Sequence, residues 1–125
     1  MTNAEIDRKL ATFMGKPVRA EYDGNGDKFL CLASIKMCNV IWNPSQSIAQ
    51  AFECAEKMIP QNQEECTSMD RPYRFRLELM ITGAGKRWFW IASFYHWKEL
   101  RWDTREDNSP AMAICLAILA AKGKP

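Results

Sequence analysis

The chain has 125 residues, a length typical of one domain, which excludes any function that needs a separate cofactor domain. Its 47% apolar and 26% charged residues are ordinary for a globular protein and exclude disordered, collagen-like and low-complexity classes. The net charge of +2 is too small to attract duplex nucleic acid, so we expect no such partner.

The cysteine and histidine content argues against metal chemistry. Five cysteines lack any C-x-x-C pair and His96 is the single histidine, so we expect reduced thiols, no disulfide framework, no metal and no cofactor. The N-terminus lacks the basic start and apolar run of a signal peptide. The longest apolar stretch, residues 111–121, is about half of the roughly 20 residues that span a bilayer. We therefore expect a cytoplasmic protein without membrane contact.

The first half of the chain predicts two helices and a hairpin. Apolar residues at helical spacing indicate a helix over residues 3–13, ended by a glycine and a proline. Two extended stretches, 18–22 and 29–40, flank the turn formers of 23–27, which indicates a hairpin. A polar cap followed by a proline opens a second predicted helix over residues 43–59.

The second half predicts a sheet and a closing helix. A polar loop over residues 61–71 precedes a strand over 73–81 that alternates apolar and mostly charged side chains. Strands follow at 87–95 and 99–103, and a capped apolar helix covers 111–121. We expect one α+β domain over the whole chain, an antiparallel β-sheet with helices packed on it.

The segment 86–105 combines aromatic rings with positive charge. It contains four of the five tryptophans, and five Lys and Arg residues against two acids give it a net charge of +3. An aromatic ring stacks on a nucleobase for about 1–3 kcal/mol, and a neighbouring Arg or Lys can hold a phosphate. We predict that it contacts a nucleotide-sized anion through Phe89, Trp90, Tyr95, His96, Arg101, Trp102, Arg105 and the nearby Asn108.

A second interpretation places these aromatic side chains in the core. The strand 87–95 is apolar or aromatic on both faces, which predicts that it is covered on both sides. Under this interpretation Trp88, Trp90 and Phe94 are simply buried. The residues near the strand ends and the loop before the last helix are then expected to be more open: Tyr95, His96, Arg101, Trp102 and Arg105.

The sequence offers little for catalysis. Cys54 and Cys115 lie among apolar helical positions, where a thiol behaves as a small core residue. Nothing in the sequence brings another cysteine next to His96, so no cysteine–histidine dyad is indicated. Glu53 and Glu56 lie on the exposed side of a predicted helix. We expect a protein that is not an enzyme.

Two stretches resemble a known family. The chain resembles small bacteriophage proteins with the ABA sandwich domain in two segments, Trp42-Asn43-Pro44-Ser45 with Ile48-Ala49, Ala51-Phe52 and Glu56-Lys57-Met58, and Ser109-Pro110-Ala111-Met112-Ala113-Ile114-Cys115-Leu116-Ala117. Leu116 stands where that family often has an arginine. The spacing between the segments also fits the family, with two aromatic strands between them.

The resemblance implies a fold and a function. The family includes the Thoeris anti-defence proteins of the first type, which sequester cyclic ADP-ribose-type signals made by bacterial TIR-domain proteins. Some also take up cyclic oligonucleotides of the CBASS system. They are oligomers with pockets shared between subunits, so the resemblance implies a homo-oligomer, a dimer or a larger assembly such as a hexamer. It also implies action in the host bacterial cytoplasm, with segment 86–105 supplying adenine stacking and phosphate contacts.

Three functions follow as hypotheses. The leading one is a binder that sequesters a cyclic nucleotide signal without degrading it. The alternative is a protein-binding inhibitor of a host defence factor with no small-molecule ligand, which would use Trp97 and Trp102 as anchors. An enzyme that cleaves the signal is the third.

Overall fold

The computed structural model describes residues 2–33, 40–60, 72–83, 85 and 87–123. In chain order its elements are α1 (Asn3–Met14), β1 (Val18–Tyr22), β2 (Lys28–Leu32), α2 (Ile48–Glu56), β3 (Tyr73–Thr82), β4 (Arg87–His96), β5 (Arg101–Asp107) and α3 (Pro110–Lys122). Strands β1 and β2 form one antiparallel sheet, and β3, β4 and β5 form a second in that spatial order. The expected α+β class, with a sheet packed against helices, is confirmed.

Helices α1 and α3 confirm their predictions within a residue or two. Thr2 caps α1 by accepting a hydrogen bond from Glu5 N, and Gly15 ends it at a φ of 68°, a conformation that glycine adopts without strain. Ser109 caps α3 by accepting from Met112 N, and the proline that follows it stands in the first turn. Local cap chemistry therefore sets both helix starts.

The first hairpin confirms the prediction in part. Strand β2 ends at Leu32, earlier than predicted, and residues 34–39 of the expected strand lie outside the described part of the chain. The turn is closed by Asp23, whose Oδ1 accepts hydrogen bonds from Asn25 N at 2.8 Å and Asp27 N at 2.9 Å. Cys31 also pairs with Ile41 through an isolated bridge. The predicted loop 61–71 likewise lies outside the described residues.

Helix α2 starts later than predicted. The predicted start at residue 43 is wrong, because Asn43 O accepts hydrogen bonds from Gln46 N and Ser47 N in a turn that precedes the helix. Ser47 is the actual cap, accepting from Gln50 N at 3.3 Å. Ser45 lies in the predicted cap, but its hydroxyl donates a hydrogen bond to Asp7 of α1 instead.

The three-stranded sheet is longer than the sequence predicts. Strand β3 extends to Thr82 and β4 to His96, and β5 spans Arg101–Asp107 rather than residues 99–103. The tight turn between β3 and β4 contains Gly83 and Gly85 at φ values of 59° and 83°. The alternation of faces predicted for β3 and β4 is confirmed by their register.

The core lies between this sheet and the helices. Helix α3 packs on β4 and β5 and also on α2. Small buried residues, Ala113 and Ala117, face that packing and allow the helix to approach closely. On the sheet, Phe94 and Ala92 are fully buried beneath it. None of the helices within the described ranges is long and apolar enough to cross a membrane.

The cysteines divide into two groups. Cys54 and Cys115 are free and buried, as predicted, and burial raises the pKa of Cys54 to about 12, so it stays protonated and inert. Cys31 is disulfide-bonded. The expectation of reduced thiols is therefore wrong at Cys31. Residue spacing could not reveal it, because a disulfide depends on the distance that the fold creates.

A buried polar contact joins α1 to the turn before α2. Oδ1 of Asp7 accepts a hydrogen bond from Ser45 N at 2.8 Å, and Oδ2 accepts one from Ser45 Oγ at 3.0 Å. The carbonyl of Asp7 accepts a third from Nε1 of the buried Trp42 at 2.8 Å. These bonds close a loop between α1 and the strand-to-helix connection, so Asp7 has a structural role.

We expect Asp7→Ala to lower the free energy of unfolding by about 1–3 kcal/mol, because the buried Ser45 N–H loses its acceptor. Burial raises the pKa of the Asp7 carboxyl, despite the opposing bonds from Ser45. The stability that Asp7 contributes is therefore fully present below the ordinary carboxyl pKa. It is lost as the pH rises through the raised pKa that Asp7 has in the folded protein. Denaturation at several pH values should show that the free energy of unfolding of the wild type rises relative to that of Asp7→Asn as the pH falls. A difference that is flat with pH would contradict this.

Candidate ligand-binding face

The sheet β3–β5 has two different faces. Residues that point toward α2 and α3 form the helix-side face, which includes the buried Phe94 and Asp103. The opposite, outer face carries no helix among the described elements. It is formed by alternate side chains of the three strands: Arg74, Arg76, Glu78, Met80 and Thr82 on β3; Arg87, Phe89, Ile91, Ser93 and Tyr95 on β4; and Trp102, Thr104 and Glu106 on β5.

The predicted contact residues fall on both faces rather than in one site. The outer face has Phe89, Tyr95 and Trp102. The helix-side face has Trp90, His96, Arg101 and Arg105. Asn108 is exposed between β5 and α3. One flat ligand cannot contact both faces of a sheet, so the predicted set must be divided.

His96 is not open as expected. Its side chain is 3% exposed, and its Nδ1 accepts a hydrogen bond from Glu99 N at 3.0 Å. Burial lowers the pKa of His96, and the charge of Arg101 lowers it further, so the ring is neutral at pH 7. The ring thus stabilises the turn between β4 and β5, where Leu100 adopts a φ of 54°.

Arg101 is half-buried and held by the fold. Its Nε donates to Oδ2 of the buried Asp103 at 3.1 Å, and its Nη2 donates to Tyr73 Oη at 3.1 Å and to Ala121 O at 3.3 Å. Its Nη1 forms an ion pair with Glu99. With its donors engaged in this way, Arg101 joins β3, β5 and the end of α3, and has little capacity left for a phosphate.

The aromatic residues of β4 are less buried than the core interpretation requires. Phe94 is fully buried, Trp90 is half-buried, and Trp88 is 56% exposed. The expectation that β4 is covered on both sides is therefore wrong, because no described helix lies on its outer face and Trp88 is exposed even on the helix-side face. The reason for the exposure of Trp88 is length, since the ten-residue β4 spans about 34 Å whereas the 13-residue α3 that packs on it spans about 20 Å.

The outer face concentrates aromatic rings and arginines at one end, in a group we call the outer-face cluster: Arg74, Arg76, Tyr95 and Trp102. Arg74, Tyr95 and Trp102 lie directly opposite one another across the three strands. The rings of Tyr95 and Trp102 are 4.8 Å apart between centroids, with a 36° tilt. Trp102 is 53% exposed, so its ring is available for stacking.

The two arginines differ in their surroundings. The guanidinium carbon of Arg76 lies 5.5 Å from the centre of the Trp102 ring, and its Nε forms an ion pair with Glu78. Arg74 is exposed beside Tyr95 and enters no ion pair with another described residue. The cluster therefore places one guanidinium over the Trp102 ring and a second arginine beside Tyr95.

One exposed hydroxyl residue, Thr104, lies beside the rings and is paired with the buried Ser93. Ser93 Oγ and Thr104 Oγ1 lie 3.1 Å apart in the next row, which also contains Arg76. The Thr104 hydroxyl can donate and accept, which suits sugar hydroxyls and phosphate oxygens, whereas the buried Ser93 hydroxyl holds Thr104 in place. The row makes the surface polar immediately next to its aromatic end.

The remaining predicted residues lie away from the cluster. Phe89 is six residues from Tyr95 on β4, about 20 Å along the strand, and has Arg87 beside its ring. Arg105 is exposed on the helix-side face and donates from Nη1 to Thr104 O at 2.7 Å. Neither residue, nor Trp90 or Asn108, can join the same small ligand as Trp102.

A separate concavity lies between α1 and the first hairpin. It has a volume of about 110 Å³ and is lined in part by Asn3, Asp7, Lys28 and Trp42. Nucleotide-sized ligands usually occupy pockets of roughly 300–1,000 Å³, so it is too small for one. No cluster of three potential metal-ligating side chains occurs in the part of the chain that the structure describes.

No protein-family model, curated protein or solved structure matches the chain. The outer-face cluster is therefore interpreted from its own chemistry. It offers ring stacking, two guanidinium groups and the neighbouring Thr104 hydroxyl, and has no described nucleophile with an adjacent base.

Proposed function

We propose that the protein binds and sequesters a cyclic nucleotide signal without altering it. The observation that carries the proposal is the exposed outer-face cluster, in which the adjacent, tilted rings of Tyr95 and Trp102 lie beside Arg74 and Arg76. A planar base can stack on Trp102 while an arginine contacts a phosphate, and both contacts are made by groups already in place.

The resemblance to phage ABA sandwich proteins supports the class of ligand. Proteins of that family with a known role sequester cyclic ADP-ribose-type or cyclic oligonucleotide signals, and the ligand proposed here belongs to these classes. The biological setting proposed is the host bacterial cytoplasm, where such signals are made. In that setting the protein is a phage anti-defence protein that keeps the signal from its receptor.

The test is thermal unfolding with cyclic ADP-ribose isomers and cyclic di- and trinucleotides, each added in turn. A ligand at a hundredfold its Kd stabilises the fold by about 2.7 kcal/mol, which raises the melting temperature by several degrees. Chromatography of the ligand after heating then distinguishes sequestration from cleavage. We expect a shift with the ligand recovered intact.

Other outcomes of this experiment would indicate a different function. A shift with altered ligand would mean an enzyme, and no shift with any compound would overturn the proposal and favour a protein-binding inhibitor. Because Cys31 is disulfide-bonded, each melt should be run with and without a reducing agent. Binding that survives reduction is required for action in a reducing cytoplasm.

A further inference from the structure

Strand β3 is an edge strand of the sheet formed by the described residues. The strand order is β3-β4-β5, and no described strand pairs with the other side of β3. Its ten residues are paired with β4 without a bulge and contain no proline. Bulges and prolines often protect edge strands, because the unpaired backbone groups of an edge can pair with another chain. Strand β3 has neither form of protection.

The other edge of the sheet is better protected. Five of the seven residues of β5 are charged, and α3 packs against it. Charged side chains along an edge discourage pairing with a second strand. The contrast favours β3 as the edge that accepts a partner.

Exposed apolar side chains extend beyond the helices along β3. On the helix-side face, Leu79 is 46% exposed, Ile81 is 64% exposed, and Trp88 lies opposite Ile81 on β4. Such side chains are normally covered, and we call these three residues the overhang.

A second apolar group lies at the other half of the same edge. Phe52 of α2 is 38% exposed, and its ring packs edge-on against Phe75 of β3 with centroids 6.1 Å apart. The edge therefore has a half that α2 covers and a half that nothing described covers. A second copy in antiparallel orientation would place each covered half against the other copy's overhang.

The charges of β3 select the register of such a pairing. Directly opposed residues of antiparallel strands point to the same face, so a two-fold axis must pass through one residue. With the axis at Leu77, Arg76 opposes Glu78 of the partner subunit, and this occurs twice by symmetry. An axis at Arg76 would oppose that arginine to its own copy, and an axis at Glu78 would do the same for the glutamate. Like charges in directly opposed positions are destabilising.

The same register also joins the apolar groups. Phe75 then opposes Leu79 of the partner subunit, and Tyr73 opposes Ile81 of the partner subunit. The overhang of each copy reaches the side of the sheet where Phe52 packs on Phe75 in the other copy. Apolar contact and charge pairing thus agree on one register.

We propose that two copies of the chain pair along β3, two-fold about Leu77, to form one continuous six-stranded antiparallel sheet. Helices of both copies lie on one side of that sheet. The two outer-face clusters lie together on the opposite side. The pairing stands independently of the proposed function, because it rests on the edge, the overhang and the charges.

The first test is a charge swap read by light scattering or sedimentation. We expect the wild type to be a dimer or an even multiple of it. Glu78→Arg should weaken dimerisation at least about tenfold, since it places one arginine opposite another at each of the two symmetric positions. The double variant Arg76→Glu/Glu78→Arg restores opposite charges and should dimerise again. A monomeric wild type, a Glu78→Arg dimer of unchanged affinity, or a double variant that fails to dimerise would overturn the proposal.

The second test fixes the register. Leu77→Cys should form an intermolecular disulfide under mild oxidation, because the axis brings the two copies of this position together. Arg74→Cys is the matched control on the same strand and should crosslink no more than the wild type, whose native cysteines set the background. Equal crosslinking of both variants would overturn the register. If Leu77→Cys dimerises without crosslinking, the interface lies elsewhere and the proposal fails.

Discussion

Arg101→Ala is expected to lower the free energy of unfolding by about 3–5 kcal/mol, the range for removing one partner of a buried ion pair. The substitution removes the hydrogen bonds to Asp103 Oδ2, Tyr73 Oη and Ala121 O, and it does so where β3, β5 and α3 meet. Chemical denaturation followed by circular dichroism measures the loss. The effect should be present without any ligand, because it arises within the fold.

Two control variants separate this structural role from ligand binding. Arg101→Lys keeps the charge but loses the two-pronged geometry, so we expect an intermediate loss. Arg105→Ala removes an exposed arginine four residues away on the same face and should change stability by less than about 0.5 kcal/mol. If Arg101→Ala is as stable as Arg105→Ala, then Arg101 does not hold these elements together.

Trp102→Ala is expected to weaken ligand binding by roughly 5- to 150-fold, the equivalent of about 1–3 kcal/mol for one stacked base. The reason is the exposed position of its ring beside Tyr95 and Arg76. The measurement is the Kd, by calorimetry, of the cyclic nucleotide that gives the largest melting shift. Arg74→Ala should weaken the same ligand by a smaller factor that shrinks at high salt.

The matched control for Trp102 is Tyr22, another highly exposed aromatic residue, which lies on the separate β1–β2 sheet. Tyr22→Ala should leave the Kd unchanged. Trp102→Phe keeps a ring for stacking and should bind more tightly than Trp102→Ala. Equal affinity for the wild type and Trp102→Ala would place the ligand away from the outer face.

Features set by neighbouring residues could be predicted from the sequence. Caps and glycines place α1 and α3, and the alternation of β3 identifies which of its residues share a face. The start of α2 could not be found in this way. Its cap pattern at Asn43-Pro44-Ser45 is genuine chemistry, but Ser45 is bound by Asp7, 38 residues away. A long-range contact of that kind leaves no local signal.

The outer-face cluster was half predictable. Tyr95 and Trp102 were predicted as contact residues because they lie in the aromatic and basic segment 86–105. Arg74 and Arg76 were missed because they lie outside that segment. A signal for them exists, since the turn at Gly83 fixes Thr82 opposite Arg87 and therefore Arg74 opposite Tyr95. Exposure was not predictable, because the burial of His96 depends on the helix and turn that enclose it.

The order of strands in the main sheet also bears on how the chain folds. Strands β3, β4 and β5 follow one another in sequence and pair with their immediate neighbours, so each pairing closes only a short loop. The contacts from Asp7 to Ser45 and from Tyr73 to Ala121 span 38 and 48 residues, and closing such loops costs more entropy. Local pairings form faster than distant ones, and a hairpin closes in about 1–10 μs. The meander can therefore assemble first, with its aromatic and basic face in place before the helices bury the other side.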